Sequence, residues 1–476
     1  MSSPTVVVDP RLVTRTTSRE ILAWIAAAAA IVSAYFWKLG AVPAGLFVDE
    51  TSVGYNARAI GRTLSDASGT NLPLFVKVLA NDYRGPLYVY PAAISELLFG
   101  PTPFAVRLPA VLYAFGMAAG IWWLVRSMTN RSPLARWVAL ASLACPAVFT
   151  FGRIAVTDAS CLPFFLVLAL CAARRVEQSP TFRRSVWLGL AIGVLGYSYT
   201  TARLYAPLLA VAAALIFWLH RRAWTPAVGV ACGALLAGAP VVAFMLAHPG
   251  ALTTRFNDVS VFAGHPGAAE VARRIAGHYW QHLASVEFLF QHGDHNLRHN
   301  IGVGLLPVWL ALPLAFGIWS VWSARILPSM RLLLVALVLA PIPVALCHDA
   351  WPHASRMIQL APLAYLFSAV GFDRLPKSVI AAVAALAVLE TCQFAFTYFG
   401  DYGSASAISV FDAPDRDIIL AAKARQLPGE AIVIKNAAFE YDGTEVAFWL
   451  DLDPAKLREI GFEGLGVFKE SDVRGQ

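Results

Sequence analysis

The sequence predicts an all-α polytopic membrane protein, with interfacial helices in its first outer loop and a small α/β extracytoplasmic appendage at its C-terminus. Three observations predict it. Hydrophobic residues make up 58% of the 476 positions and charged residues only 14%, against about 25% charged in ordinary soluble domains. The apolar residues fall in runs of roughly 15 to 25, the length that spans about 30 Å of hydrocarbon. Short basic gaps also alternate along the chain with gaps rich in Asp, His and Tyr.

Eleven runs read as spans: 21–37, 108–125, 137–152, 159–173, 185–202, 204–219, 223–247, 301–324, 332–347, 357–372 and 378–400. The first follows Arg11, Arg15 and Arg19 and lacks a small-residue cleavage site, so it reads as a retained helix, not a removed signal peptide. The segment "GPLYVYPAAISELLFGPTPF" (85–104) carries Glu96 amid prolines and reads as interfacial or partly inserted. On that reading one side of the membrane receives Arg126/Arg131/Arg136, Arg174/Arg175/Arg183/Arg184, Arg221/Arg222, Arg325/Arg331 and Arg374/Lys377 together with the N-terminal arginines. That is the positive-inside pattern.

The chain therefore divides into a cytoplasmic N-terminus (1–20), a transmembrane domain (21–400) with long outer loops at 38–107 and 248–300, and a small extracytoplasmic C-terminal domain (401–476). In the last, "EAIVIKNAAF" reads as a strand and "DPAKLREIG" as a short helix opened by an Asp cap.

The net charge of +7 lies largely in short loops and reads as a topology signal. Nucleic acid is excluded as a partner, because no basic stretch is interleaved with exposed aromatics. The six cysteines, Cys145, Cys161, Cys171, Cys232, Cys347 and Cys392, show no metal or disulfide spacing and read as small hydrophobes.

Six stretches on the outer side carry groups capable of chemistry. "GLFVDETSVGYNARAIG" (45–61) puts Asp49 and Glu50 at a membrane edge, then Tyr55 and Arg58 on neighbouring turns of an amphipathic interfacial helix. The bland alternative is a carboxylate capping that helix. "GRIAVTDAS" (152–160) holds Arg153 and Asp158 in a gap too short for full solvation, where an ionisable group is either functional or a helix cap. "NDYRGPLYVYP" (81–91) places Tyr83 and Arg84 before a Gly-Pro break. Arg84 there either binds a lipid phosphate or snorkels to ordinary headgroups.

"GYSYTTARLYAP" (196–207) is an aromatic, hydroxyl-rich turn whose one charge is Arg203. "CHDAWPHASRM" (347–357) begins a span with Arg356 after His348, Asp349 and His353. In "FLFQHGDHNLRHN" (288–300), His292, Asp294, His295, Arg298 and His299 crowd together. Such a cluster suits a divalent cation or a hydrogen-bonding loop for a sugar or acceptor. No metal site is assigned among these residues, and a divalent cation is the one cofactor left open.

As a set, these stretches resemble the bacterial family-39 type of membrane glycosyltransferases, relatives of protein O-mannosyltransferases and of the aminoarabinose transferase of lipid A. The matching pieces run in family order: "DETSVGYNARAIGRTLSD", "DYRGPLYVYPAAISELLFGPTPFAVRLPAVL", "FGRIAVTDAS", "YSYTTARLYAP", "RFNDVSVF", "FLFQHGDHNLRHN" and "RMIQLAPL". They cover roughly residues 20–400. The resemblance implies the C-type glycosyltransferase fold and inverting transfer of a sugar from a polyprenyl-phosphate donor to an extracytoplasmic lipid, polysaccharide or protein. The implied place is the outer face of a bacterial inner membrane. By position, Asp49 is implied as general base, with Glu50 beside it, and Asp158 as the second acid. Arg84 and Arg356 are implied at the donor phosphate; Tyr55, Arg58, Tyr83 and Arg203 join them as donor- or lipid-binding candidates from their own stretches. Asp294, Arg298 and His299 are left for the acceptor or sugar. The family's Pro-Pro after the basic residue is Gly85-Pro86 here.

Two rival readings belong to other classes. A transporter or flippase for lipid-linked sugars usually shows inverted repeats and polar groups at the midplane, whereas here the polar groups gather at one face. A non-catalytic envelope-assembly subunit would keep the fold and bind no donor.

Overall fold

The computed structural model describes residues 17–78, 82–298, 300–323, 327–348, 352–400, 402, 410–427, 434–435, 443–455 and 467–468. Helix α1 (Ser18–Phe36) opens on a capping box between Thr17 and Glu20, which satisfies two amides that a helix start leaves without partners. The stretch between α1 and the bundle then supplies α2 (Val48–Thr63), a short antiparallel pair β1 (Val76–Val78) and β2 (Asp82–Arg84), and α3 (Pro86–Phe99). At about 1.5 Å per residue, the 14 residues of α3 reach about 21 Å and cannot cross the hydrocarbon. Its far end presents Ile94, Leu97, Leu98 and Phe99 outward.

The bundle follows with α4 (Pro103–Thr129), α5 (Ser132–Leu143), α6 (Pro146–Phe151), α7 (Thr157–Gln178), α8 (Phe182–Leu195), α9 (Ala202–Arg221) and α10 (Trp224–Ala247). The pair α8 and α10 packs backbone to backbone. A Cβ on Gly189 would lie 2.1 Å from the Val230 carbonyl, and one on Gly233 2.1 Å from that of Val186. Small residues make this close approach between membrane helices.

The second long segment, expected from the sequence to be an outer loop, contains α11 (Thr254–Val259), α12 (Ala268–Ala284) and a π-turn at Glu287–Gln291. The remaining helices are α13 (Ala311–Ser323), α14 (Pro328–Leu339), α15 (Ile342–Ala345), α16 (Ala354–Met357), α17 (Leu360–Gly371) and α18 (Lys377–Thr397). Beyond them lie α19 (Ala413–Arg425), α20 (Thr444–Trp449) and a parallel two-residue ladder of β3 (Ile434–Lys435) with β4 (Val467–Phe468).

Among the described residues, seven helices are long and apolar enough to cross a membrane: Ser18–Phe36, Pro103–Thr129, Ala159–Gln178, Ala202–Arg221, Trp224–Ala247, Pro328–Ala345 and Lys377–Gly400. The protein is a multi-pass membrane protein. The other four expected spans are also helical but shorter or broken. The 137–152 run splits into α5 and α6 at Cys145-Pro146, because proline disfavours helix in the residue before it. The 301–324 run turns helical only at Val308. Before it, the amides of Leu305 and Leu306 donate to the carbonyls of Phe288 and Leu289 and hold that stretch against the π-turn.

Candidate functional site

The site is organised around the first turn of α2. Glu50 is fully buried, and both its oxygens meet the Arg107 guanidinium at 2.9 Å. The amide of Ala155 also donates to it at 2.8 Å. Arg107, on α4, directs its remaining N–H groups to the carbonyls of Leu39, Pro43 and Gly45. All five donors of a guanidinium are thereby used. This arrangement corrects the expectation of a catalytic Glu50: a carboxylate with no exposed surface and three donors is a brace that joins α2, α4 and the turn before α7.

Asp49 points the other way. Its side chain keeps 26% of its surface, and its Oδ2 lies 3.8 Å from Nη2 of Arg84, which is 14% exposed. Arg84 is placed by the β1–β2 pair, opposite Val76. Gly85 follows because the turn at 196–201 comes so close that a Cβ would lie 1.8 Å from the Tyr197 carbonyl. Pro86 then starts α3, where a missing N–H costs nothing. Glycine at position 85 thus has a local steric cause.

The 196–201 turn also gathers the other expected groups. Arg203 donates to the Tyr83 carbonyl and lies 5.3 Å above the Phe75 ring. Tyr83 packs edge-on against Phe244 at 5.7 Å. The Tyr199 hydroxyl lies 3.4 Å from Oγ of Ser355, next to Arg356 on α16. The turn thus lies against both Gly85, next to Arg84, and Ser355, next to Arg356, while Arg203 just after it holds Tyr83. Asp158 occupies the second position of α7, and the Ala155–Glu50 bond brings that helix start beside α2. The Asp158 side chain lies outside the described residues, as do His299 and Asp349.

Other predicted residues lie elsewhere. The polar face expected for α2 is covered by α3 and α20, and Tyr55 is fully buried. Arg58 does not face the open side with Asp49. It lies 3.5 Å from Glu96 and 3.0 Å from Asp451, sits 4.8 Å above the Phe448 ring and donates to the Phe448 carbonyl. Burial pushes Glu96 up to about 8 in spite of Arg58. These contacts give Arg58 a docking role for α20.

Arg298 braces the same C-terminal segment, donating to the Val410 carbonyl and lying 5.3 Å from the Phe47 ring. Asp294 accepts from the amides of Asn296 and Ala354. His292 and His295 are exposed, and among the described residues no three His, Cys, Asp or Glu side chains gather as a metal site.

Sequence reasoning missed several residues that shape this site. Arg107 stands in an otherwise apolar stretch, and a lone charge at such depth is itself a signal. Arg153, noted in the sequence beside Asp158 but given no role, is a second buried staple, donating to the carbonyls of Ala34, Tyr35, Trp37 and Val42 inside a cage of Phe149, Tyr398 and Phe399. At the C-terminal end, the Asp412 carboxylate accepts from the Val48 amide at the start of α2 and hydrogen-bonds Glu445. Burial pushes both carboxyls up; Asp412 raises Glu445 further, while Arg298 and the bond to Glu445 oppose the rise at Asp412. Nothing local in the sequence marks this pair.

Comparison with known proteins follows the same geometry. A family model described as dolichyl-phosphate-mannose-protein mannosyltransferase matches residues 83–248, about a third of the chain. No curated protein sequence matches. Among solved structures, ArnT from Cupriavidus metallidurans bound to undecaprenyl phosphate superposes with a TM-score of 0.59 at 14% identity, covering 95% of this chain and 90% of ArnT. Apo ArnT gives 0.60 at 15% identity with the same coverage. The archaeal oligosaccharyltransferase AglB from Archaeoglobus fulgidus, in complex with an inhibitory peptide and a dolichol-phosphate, gives 0.52 at 13% identity. That match covers 90% of this chain and 63% of AglB. Identities this low establish a shared fold. It is the C-type glycosyltransferase fold expected from the sequence.

Proposed function

We propose that the protein is an inverting glycosyltransferase that moves a sugar from a polyprenyl-phosphate donor to an acceptor hydroxyl on the outer face of a bacterial plasma membrane. The acceptor belongs to a lipid, a polysaccharide or a protein. One observation carries the reading above the others. Of two adjacent carboxylates, Glu50 is saturated, while Asp49 reaches the surface 3.8 Å from a cation on a neighbouring element. The outward placement follows from the basic gaps, which share the opposite side by the positive-inside rule.

Asp49 accepts the proton of the acceptor hydroxyl as its oxygen bonds to the anomeric carbon. Attack comes from the face opposite the phosphate, so the configuration inverts. The bond between the anomeric carbon and the phosphate oxygen breaks, and its electron pair leaves with the phosphate. Arg84 and Arg356, with Arg203 beside them, stabilise the charge that develops there. Asp158, at the start of α7, is the second acid of the site. The prenyl chain stays in the hydrocarbon, which gives the site its place at the membrane edge.

Mass spectrometry of lipids and glycans from a deletion strain tests this directly. The expected result is accumulation of one polyprenyl-phosphate sugar and loss of that sugar from one envelope glycan. An unchanged lipid and glycan profile, together with no transfer by purified protein from any polyprenyl-phosphate sugar in proteoliposomes, would overturn it.

A further inference from the structure

Arg356 stands on α16, a helix of only four residues. One helical turn cannot hold its own start, because its first amides have no partners within the helix and an isolated turn is an unfavourable nucleus. Two consecutive amides before Arg356 are satisfied from outside, both by side chains of the second long segment. Nε2 of His282, on α12, accepts from the amide of His353 at 3.2 Å. Oδ2 of Asp294, just past the π-turn, accepts from the amide of Ala354 at 2.7 Å. A third tie follows in sequence, with Oγ of Ser355 lying 2.9 Å from Nδ1 of His353 and 3.4 Å from the Tyr199 hydroxyl.

Both acceptors are themselves held. His282 is 1% exposed, and its Nδ1 pairs with the His278 carbonyl at 2.7 Å. A ring that donates from Nδ1 and accepts at Nε2 is neutral and of one tautomer. Burial favours that state and brings His282 down to about 4, against the bond to the His278 carbonyl and the charge of Asp294. Asp294 is 5% exposed, and its Oδ1 accepts from the Asn296 amide at 3.3 Å. The orientation of α12 fits the task, with His278 and His282 turned inward while Ala272, Ala276 and Trp280 face out.

We propose that His282 and Asp294 are positioning residues for Arg356: by taking the two amides that precede it, they fix the turn that aims its guanidinium at the donor phosphate. The second long segment thereby sets donor binding without touching the donor. This inference rests on the donor-phosphate reading of Arg356. It also moves Asp294 from the acceptor loop, where the sequence placed it, to the support of the donor side.

The test measures binding of undecaprenyl phosphate to the full-length protein in detergent, alongside amide exchange over residues 352–357. Five variants are compared: H282L, H282Q, D294A, R356A and, as a control, R273A on the exposed face of α12. The expected result is about tenfold weaker binding for H282L and D294A, the scale of one lost hydrogen bond in each. In both, exchange at the 353 and 354 amides rises. H282Q, whose side-chain oxygen replaces the Nε2 acceptor, restores binding to within about twofold, and R273A matches wild type.

If R356A loses binding while H282L and D294A bind and exchange like wild type, the positioning role is wrong and the donor reading stands. If R356A binds like wild type, the donor reading fails and this inference with it. Should H282L not fold, D294A and H282Q decide: wild-type binding by D294A, or H282Q as weak as R356A, overturns the proposal.

Discussion

Glu50 and Asp49 are neighbours on α2, yet one side chain is fully buried and the other keeps 26% of its surface. On the inner side, Glu50, Arg107 and four backbone groups saturate one another. On the outer side, Asp49 and Arg84 stand 3.8 Å apart, beyond direct hydrogen-bond distance. The difference teaches that identical chemistry one residue apart serves opposite ends. A saturated buried pair fixes geometry, because every alternative leaves a charge stranded. A loose pair at the surface adds little stability but leaves its carboxylate able to take a proton.

The comparison breaks most visibly at the buried side. E50Q or R107M strands one charge and is expected to cost about 3–5 kcal/mol, read as a collapse of thermal stability in detergent. E50L combined with R107M should recover much of that loss, since apolar replacement of both partners is tolerated.

At the open side, D49N should unfold within a degree or two of wild type while transfer falls roughly 10²–10⁴-fold, the usual range for a removed general base. A destabilisation as large as that of E50Q would erase the distinction. R84Q should come next, with transfer lowered about 10²-fold and stability again nearly unchanged. Steady-state kinetics at varied donor concentration measures it.

The smallest effect concerns the C-terminal segment that covers the start of α2. Burial and Asp412 hold Glu445 above the ordinary carboxyl range, so the folded state binds its proton more tightly than the unfolded chain does. Its contribution is fully present below the ordinary carboxyl value and is lost as pH rises through the raised one. Stability should therefore decline as the pH is raised, and E445Q should flatten that decline by about 1 kcal/mol. Chemical or thermal unfolding followed across pH 5 to 9 would show the change in slope.

The bundle was legible in the sequence because membrane spans are written locally, in runs of apolar residues whose backbone bonds close within the helix. Asp49, Arg84, Arg203 and Arg356 were legible as candidates for a related reason: each is a charge that falls outside such runs, in a gap other than the basic ones. Arg58 misled, since its helical spacing from Tyr55 looked amphipathic while α3 and α20 in fact bury it. The supporting residues, His282 under Arg356 and Asp412 at the start of α2, carried no local signal. Their partners lie 71 and 364 residues away in the chain.

By itself the sequence determined the class of the protein, the alternation of its gaps and the short list of polar stretches at one membrane face. It determined these because hydrophobic length and charge are summed along the chain. Only the tertiary structure separated the surroundings of Asp49 and Glu50, pairing Glu50 with Arg107 and leaving Asp49 near Arg84. Those surroundings depend on which remote carbonyls and amides saturate a charge, and saturation is a property of packing in three dimensions.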